Sequence, residues 1–414
     1  MSAVPSRRRD DVPRDLPPLP DRSARIIRDD AEALAVATRL AAEIAVGAAR
    51  RDRDRILPQA ELDRMSEAGL FAITVPKAYG GAEVKAGTVA RVLALLSGAD
   101  GSIGQIPQNH FFILEGLRLQ GSEEQKRFFY GRVLAGERIF NALSEKGTRT
   151  AQDHATTLLR HDDGYRLEGR KFYSTGALFA HWIAVVANTE AGRSALALVP
   201  RETPGLTVID DWTGFGQRVT GSGTTVLDGV RVEPFQVIDF AGVFEQPTAM
   251  GPFAQIMHAA VEQGIAEAAL AETVSFVTTR SRPWKDSGVE RASLDPYVIA
   301  IAGEMKIRTD ASGALLDRAG PLVDAAKAQP DDDTVAAASI AVAEAKVAST
   351  ESALFVASKL IELGGSSATL AEHGLDRYWR NARTHTVHDP VRWKYKFIGD
   401  YWLNGIRPPR HGAI

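Results

Sequence analysis

The stretch YRLEGRKF, residues 165–172, decides the fold class, because it belongs to a block of strand patterns inside a largely helical chain. Its polar and apolar residues alternate, and Asp and Gly residues precede it, as is typical of a β-strand after a turn. Similar runs separated by Gly, Pro and Asp are TTLLR (156–160), WIAVVA (182–187), SALALVP (194–200), LTVID (206–210) and TTVLDGVRVEP (224–234). We therefore predict a compact middle β-domain at residues 141–245.

Helical patterns lie on both sides of this block. Residues 30–50 carry apolar side chains at helical spacing, and Pro58 and Gly69 are suitable boundaries for a following helix. Further on, residues 339–365 predict a long helix that ends at a Gly pair, and the Asp run at 328–334 predicts a solvated turn before it.

The order of these patterns predicts an α+β fold with an N-terminal helical domain at 25–140 and a C-terminal four-helix bundle at 246–414. Residues 1–24 are rich in Pro and Arg and predict a disordered arm.

The composition excludes several classes of function. The 414 residues include 49 Lys and Arg against 52 Asp and Glu, a net charge of −3, which does not favour binding to nucleic acid or a membrane surface. No apolar run approaches the roughly 18 residues of a membrane helix. The absence of cysteine excludes disulfides, thiolate catalysis and cysteine metal ligands, and favours a cytoplasmic protein.

The stretch RNARTHTVHDPVRWKYK, residues 380–396, is the main candidate for chemistry. His385 and His388 lie three residues apart, and an unperturbed imidazole titrates near ~6.5, which suits proton transfer at neutral pH. Structural packing is the alternative for both rings. A metal site is disfavoured because no third ligand is visible, so no metal is predicted.

Several stretches taken together resemble the acyl-CoA dehydrogenase superfamily over about residues 25–410. They are GLFAITVPKAYGG (69–81), GSEEQKRFF (121–129), YRLEGRKFYSTGA (165–177), GFGQRVTGSGTTVLDGVRVEP (214–234) and DRYWRNARTH (376–385). DGSIGQIPQNHFF (100–112), NALSE (141–145), DDWTGFGQR (210–218) and RSRPW (280–284) make the chain similar to the flavin-dependent monooxygenase branch. Dibenzothiophene monooxygenases and the bacterial sulfur-acquisition oxidoreductases belong to that branch.

This resemblance implies a two-component monooxygenase. Such an enzyme oxygenates a small organosulfur compound through a C4a-hydroperoxyflavin formed from reduced flavin and O₂. The expected cofactor is reduced FMN supplied by an NAD(P)H:flavin reductase, with FAD as the alternative. The expected assembly is a homotetramer built through the C-terminal bundle.

The resemblance also implies the site residues. The catalytic candidates are His388, His385, Asn141 and Thr175. The cofactor-binding candidates are Arg282, Arg280, Ser174, Trp212, Gln105 and His110. The two arginines are expected to bind the flavin phosphate, in their own chain or in a neighbouring one. Strand alternation predicts that only one of Ser174 and Thr175 faces the flavin.

The chain departs from the dibenzothiophene enzymes at two positions. Gln105 replaces an active-site His, and Asn109 replaces a Tyr, so the pocket is expected to be more polar and less aromatic. These changes favour a smaller, more polar sulfur compound as substrate.

Two alternatives remain open from the sequence. Asp389 falls near the position of the carboxylate base in many acyl-CoA dehydrogenases, so an FAD-dependent dehydrogenase of acyl-CoA is the first. A flavin-binding accessory subunit without turnover of its own is the second.

Overall fold

The computed structural model describes residues 16–20, 24–150 and 153–414. Most of the predicted disordered arm, namely residues 1–15 and 21–23, lies outside the described residues. Six helices form the N-terminal region: α1 (Asp30–Ala45), α2 (Ala48–Asp54), α3 (Gln59–Glu67), α4 (Ala86–Ala99), α5 (Ile106–Gln120) and α6 (Glu123–Leu134). Gly69 follows α3 with a φ of 80°, a conformation that glycine adopts without strain.

The middle of the described chain folds into an eight-stranded sheet, as the alternating runs predict. Its strands in the described residues are β1 (Ile139–Ala142), β2 (Thr157–His161), β3 (Gly164–Lys171), β4 (Trp182–Thr189), β5 (Ser194–Pro200), β6 (Leu206–Ile209), β7 (Thr224–Val232) and β8 (Val237–Ile238). Seven of them run in the order β6-β7-β3-β2-β4-β5-β8, and β1 pairs with β4. The sheet is mixed, because β1 and β2 are parallel to β4 and the other pairs are antiparallel.

The C-terminal region is helical. Its helices are α7 (Met250–Thr279), α8 (Pro296–Ala328), α9 (Asp332–Gly364), α10 (Asp376–His385) and α11 (Arg392–Asn404). The predicted long helix is present and begins earlier than expected, because Asp331 caps it by accepting from the backbone amides of Asp333 and Thr334. The predicted Asp-rich turn therefore starts the helix.

Helix α7 is the centre of the molecule. Every residue from Met250 to Ala266 is buried, and α4, α8 and α9 pack around it. A helix that is apolar on all sides is typical of a core helix. Polar groups in this segment therefore depend on protein partners, since water does not reach them.

Glycines allow the N-terminal helix α4 to pack directly on the C-terminal helices. A Cβ on Gly264 of α7 would lie 2.0 Å from the carbonyl oxygen of Ala94 in α4. At the other end of α4, a Cβ on Gly320 of α8 would lie 2.8 Å from the Cα of Gly87. The two helical regions therefore share one core at these crossings.

None of the helices within 16–20, 24–150 and 153–414 is long and apolar enough to cross a membrane. Helices α8 and α11 nevertheless expose large apolar side chains. They include Tyr297, Ile307, Trp393, Trp402 and Leu403, of which Leu403 is 85% exposed.

Candidate active site

Strand β1 brings Asn141 to the boundary between the sheet and α5. The residue is buried, and its Oδ1 has no hydrogen-bond partner among the described residues. The backbone amide of Phe172 donates to Ser144 at 3.1 Å, and a Cβ on Gly176 would touch the Phe140 ring. The segment after β3 therefore runs alongside β1 in the opposite direction.

The segment 172–176 carries Ser174 and Thr175 into this boundary. Both side chains are buried. The strand has ended at Lys171 and Tyr173 has a φ of 68°, so the predicted alternation of faces does not apply here. Thr175 Oγ1 lies 2.7 Å from Ser222 Oγ, whereas Ser174 Oγ has no partner in the described part of the chain.

The loop at 210–223 joins three regions of the chain. Trp212 donates from Nε1 to the carbonyl of Gln217 at 2.8 Å and lies edge-on to Tyr173. The amide of Gln217 donates to Asn381 Oδ1 in α10 at 2.6 Å, and its side chain donates to Gly101 before α5 at 3.2 Å. These bonds hold the sheet, α10 and the start of α5 together.

The first turn of α5 presents two buried glutamines. Gln105 and Gln108 are three residues apart, so they lie on one face of the helix. Neither Oε1 atom has a hydrogen-bond partner within the described ranges. Gln108 Nε2 lies 3.1 Å from Nε2 of His258 on α7, which connects this turn to the C-terminal helices.

His385 ends α10 inside the core. Its Nε2 lies 3.1 Å from Nδ1 of His258, and its Nδ1 lies 2.9 Å from Oε1 of Glu262. Both ring nitrogens are therefore engaged by protein groups, so His385 has none left for direct contact with a flavin or a substrate.

A buried ion pair lies beneath these rings. Lys346 of α9 bonds Glu262 Oε1, and both side chains have no exposed surface. Thr350 donates to the other oxygen at 2.6 Å. Burial favours a raised pKa for the Glu262 carboxyl, but the Lys346 charge and the His385 hydrogen bond outweigh it, so the pKa is lowered.

His388 is the exposed member of the cluster. Its side chain is about half exposed, and its ring centre lies 4.1 Å from that of His258. Its Nδ1 lies 3.4 Å from Asp389, and no protein partner of Nε2 is found in the described residues. This nitrogen is therefore the one imidazole atom of the cluster that is free to meet a ligand.

Asp389 forms a buried ion pair. Its Oδ2 lies 3.0 Å from Nζ of Lys394 in α11, although the geometry is not that of a hydrogen bond. Burial works to raise the pKa of the Asp389 carboxyl, but the His388 hydrogen bond and the charges of Lys346 and Lys394 hold it well below its usual range. A carboxylate with so low a pKa is a poor general base.

The two buried imidazoles are held neutral. Burial is the main cause that lowers the pKa of His258 well below its ordinary value, and neighbouring His388 and His385 add to it. Burial also lowers the pKa of His385, although its hydrogen bond to Glu262 opposes this. At neutral pH both rings therefore carry one proton each.

The predicted role of His110 is not supported by its contacts. The ring is fully buried, its Nε2 lies 2.8 Å from the carbonyl of Phe71, and its Nδ1 lies 3.1 Å from the amide of Ile139. Burial lowers the pKa of His110 to about 4. The neutral ring joins α5 to β1, and neither nitrogen is left for a cofactor.

Arg280 and Arg282 lie far from this cluster. Both are exposed near the C-terminal end of α7, where Arg280 bonds Nδ1 of His373 at 3.0 Å. His258 is 22 residues earlier on the same helix, which corresponds to ~33 Å at 1.5 Å per residue. A single chain therefore does not bring these arginines to the histidines.

Sequence reasoning missed His258, Glu262, Lys346 and Gln108. A signal was present: His258 and Glu262 are four residues apart, on one helix face, inside the apolar run IMHAAVEQGIA (256–266). Charged or titratable groups at core positions are rarely unpaired. Their partners on α5, α9 and α10 become visible only in the fold.

Several buried polar atoms in the described residues have no hydrogen-bond partner, and four of them fit a flavin. These four belong to Asn141, Ser174, Gln105 and Gln108, at the boundary between the sheet and the helices. An isoalloxazine ring is flat and carries N–H and C=O groups along one edge, so it offers partners to such atoms. Buried polar groups are otherwise costly to leave unsatisfied.

Comparison with known proteins gives concordant matches. The chain matches the N-terminal, middle and C-terminal domains of acyl-CoA dehydrogenase at residues 28–137, 141–230 and 256–393. It is 32% identical over 396 residues to a dibenzothiophene monooxygenase from Rhodococcus qingshengii, covering 92% of this chain and 95% of the relative.

Two solved structures are similar over nearly their whole length. FMN-bound TdsC from Paenibacillus sp. A11-2 superposes with a TM-score of 0.88 at 31% identity, covering 92% of this chain and 100% of that one. The methanesulfinate monooxygenase MsuC from Pseudomonas fluorescens superposes with a TM-score of 0.87 at 30% identity, covering 92% and 99%.

Proposed function

The chain belongs to the acyl-CoA dehydrogenase superfamily, in its flavin-dependent monooxygenase branch, and from this we propose that it oxygenates an organosulfur compound with reduced FMN and O₂. When bound, reduced FMN supplies the chemistry that activates O₂. The protein has to bind the flavin, exclude water from it and place a proton donor or acceptor beside it.

The arrangement at His388 carries the proposal. A free imidazole nitrogen lies in the turn where a dehydrogenase would present a carboxylate, and the neighbouring Asp389 is bound to Lys394. Glu262, the other carboxylate of the cluster, has both oxygens engaged. Because both carboxylates of the cluster are paired with lysines, removal of an α-proton from an acyl-CoA is disfavoured, whereas imidazole suits the handling of an oxygen-bound proton.

The chain's own residues divide between binding and orientation. We propose that Asn141, Ser174 or Thr175, and Trp212 bind the isoalloxazine from the sheet side. His388 meets the reacting atoms directly through Nε2. His385, which was expected to do the same, is assigned instead to orientation, because both of its nitrogens bond protein groups.

The flavin phosphate is assigned to Arg280 and Arg282 of a second copy of the chain. The basis is their exposure and their ~33 Å separation from His258 along α7. The exposed apolar side chains of α8 and α11 supply an interface for such an assembly, which we propose is a homotetramer. A partner NAD(P)H:flavin reductase and a cytoplasmic location belong to the same proposal.

The substrate is assigned to the smaller, more polar organosulfur compounds. Gln105 and Gln108 line the start of α5 with carbonyl oxygens, and Asn109 beside them is also buried. Such a wall favours ligands with hydrogen-bonding groups over flat aromatic hydrocarbons. The similarity to a methanesulfinate monooxygenase supports this assignment.

The test is turnover with a panel of sulfides, sulfoxides, sulfones, sulfinates and sulfonates, with reduced FMN and ¹⁸O₂, read by mass spectrometry. We expect one labelled oxygen in at least one small polar compound. Failure to label any member, together with anaerobic bleaching of bound flavin by a fatty acyl-CoA, would favour the dehydrogenase and overturn the proposal. Reduced flavin that yields only H₂O₂ with every compound would favour an accessory subunit.

A further inference from the structure

The carboxylate at the buried end of the histidine cluster is held ionised. Lys346 bonds one oxygen of Glu262, Thr350 donates to the other at 2.6 Å, and Ser349 lies 3.3 Å from the same oxygen. A carboxylate with a lysine and two hydroxyl donors is an acceptor only. The remaining neighbour, His385, must therefore present a protonated Nδ1 to it.

This assignment determines every following hydrogen bond. Neutral His385 with its proton on Nδ1 has an acceptor at Nε2, so His258 must donate to it from Nδ1 across 3.1 Å. Neutral His258 then has an acceptor at Nε2, and Gln108 must face it with the amide nitrogen, again at 3.1 Å. With both rings neutral, this is the arrangement of protons in which each bond has one donor and one acceptor.

The orientation of Gln108 follows from the chain of bonds. Because its Nε2 is held by His258, its Oε1 points elsewhere, and this buried oxygen has no partner in the described part of the molecule. The ring of His258 also lies against His388, at 4.1 Å between centres. One buried imidazole thus supports two groups at the site, namely the Gln108 carbonyl and the His388 ring.

We propose that Glu262, His385 and His258 form one hydrogen-bonded relay that fixes a single tautomer at each ring and holds the Gln108 carbonyl ready to accept from an N–H or O–H group of the bound ligand. His258, His385 and Glu262 are positioning residues in this assignment. The ligand's role rests on the proposed function, whereas the relay itself does not.

The relay is tested without flavin or substrate by nitrogen NMR of protein labelled at the histidine rings. A free imidazole in water favours the proton on Nε2, so two neutral rings with the proton on Nδ1 are diagnostic. We expect this form for His258 and His385 near neutral pH, each assigned by its loss on substitution. Either ring found with its proton on Nε2, or as a cation, overturns the relay.

The source of the fixed tautomer is tested by the Glu262→Gln/Lys346→Met double variant. It removes the charge pair while keeping side chains of similar volume. We expect His385 to lose its single tautomer, because an amide can accept or donate. An unchanged spectrum contradicts control by Glu262.

Gln108→Met distinguishes the two sources of a donor, the reduced flavin and the sulfur compound. A lost neutral hydrogen bond corresponds to roughly a two- to tenfold change. Weaker binding of reduced FMN assigns the donor to the flavin, and a raised KM for the sulfur compound with unchanged flavin affinity assigns it to the substrate. No change in either constant removes Gln108 from ligand binding and overturns the proposal.

His258→Phe keeps a ring beneath His388 and removes both nitrogens. We expect a larger share of consumed reduced flavin to appear as H₂O₂ than in Thr273→Val, a matched control that loses a buried hydroxyl elsewhere on α7. If the wild type oxygenates a compound and both variants release the same share of H₂O₂, the positioning role fails. If the wild type oxygenates nothing in the panel while the NMR result holds, the proposed function fails and the relay stands.

Discussion

Lys346→Met removes one half of the charge pair beneath the histidines. Lys346 and Glu262 are both fully buried, so the substitution leaves a carboxylate in the core without its countercharge. Removal of one partner of a buried pair costs about 3–5 kcal/mol, whereas replacement of both by uncharged groups of similar volume is close to neutral. We expect the free energy of unfolding to fall by about 3–5 kcal/mol in Lys346→Met, and most of it to return in Glu262→Gln/Lys346→Met.

The measurement is urea unfolding followed by circular dichroism, arranged as a double-mutant cycle. Thr273→Val serves as the reference for a lost buried hydrogen bond, at about 1 kcal/mol. The pH dependence adds an independent check. Because the fold lowers the pKa of Glu262 below its ordinary 4.5, its contribution is present above pH 4.5 and is lost as pH falls below that value. The wild type should therefore lose stability relative to the double variant in that range.

Two results would refute this reasoning. If Lys346→Met lowers the free energy of unfolding by less than about 1 kcal/mol, the pair contributes no more than an exposed ion pair does, which would mean that water reaches Glu262. A double variant as unstable as the single one would mean that the packing of the lysine side chain, and not its charge, carries the effect.

Four further outcomes are expected. In His388→Ala, a larger share of the consumed reduced flavin should appear as H₂O₂ and a smaller share should yield product, without a change in melting temperature. An unchanged ratio of product to H₂O₂ would remove His388 from the site. Arg282→Ala should weaken flavin binding by about 1.5–3 kcal/mol, read by fluorescence titration, and unaltered affinity would exclude it. His110→Phe should lower the free energy of unfolding by about 1–3 kcal/mol, because the backbone groups that bond the ring lose their partner, and flavin affinity should not change. Weaker flavin binding without a loss of stability would restore the predicted cofactor-binding role of His110. Glu145 is paired with Lys171, and the fold lowers the pKa of Glu145 to about 2. The pair therefore contributes stability that is present above pH 4.5 and is lost as pH falls towards 2, and Glu145→Gln should remove this contribution. A difference in stability from wild type that stays constant with pH would contradict the role of the pair.

The fold class could be predicted because it depends on local patterns. Alternation in YRLEGRKF and its neighbours predicts strands, and helical spacing, with Gly69 after one of the helices, predicts helices. The first turns of α9 are missed, because the Asp run that caps this helix predicts a turn. The exposed imidazole of the site, His388, also lies in a recognisable stretch.

The burial of individual polar groups could not be predicted in this way. His110 and His388 are both predicted site residues, yet one lies in the core and the other is half exposed. Glu262 and Lys346 lie on different helices and are 84 residues apart in the sequence, so their pairing is a result of tertiary packing. Strand alternation also fails to place Ser174 and Thr175, because the strand ends before them.

The glycine crossings of α4 have a consequence for how the enzyme admits its ligands. With a backbone contact at Gly264 and another at Gly320, α4 can neither roll nor slide over α7 and α8 without a collision. Any opening between the two helical regions that admits a ligand would therefore have to break both of these backbone contacts.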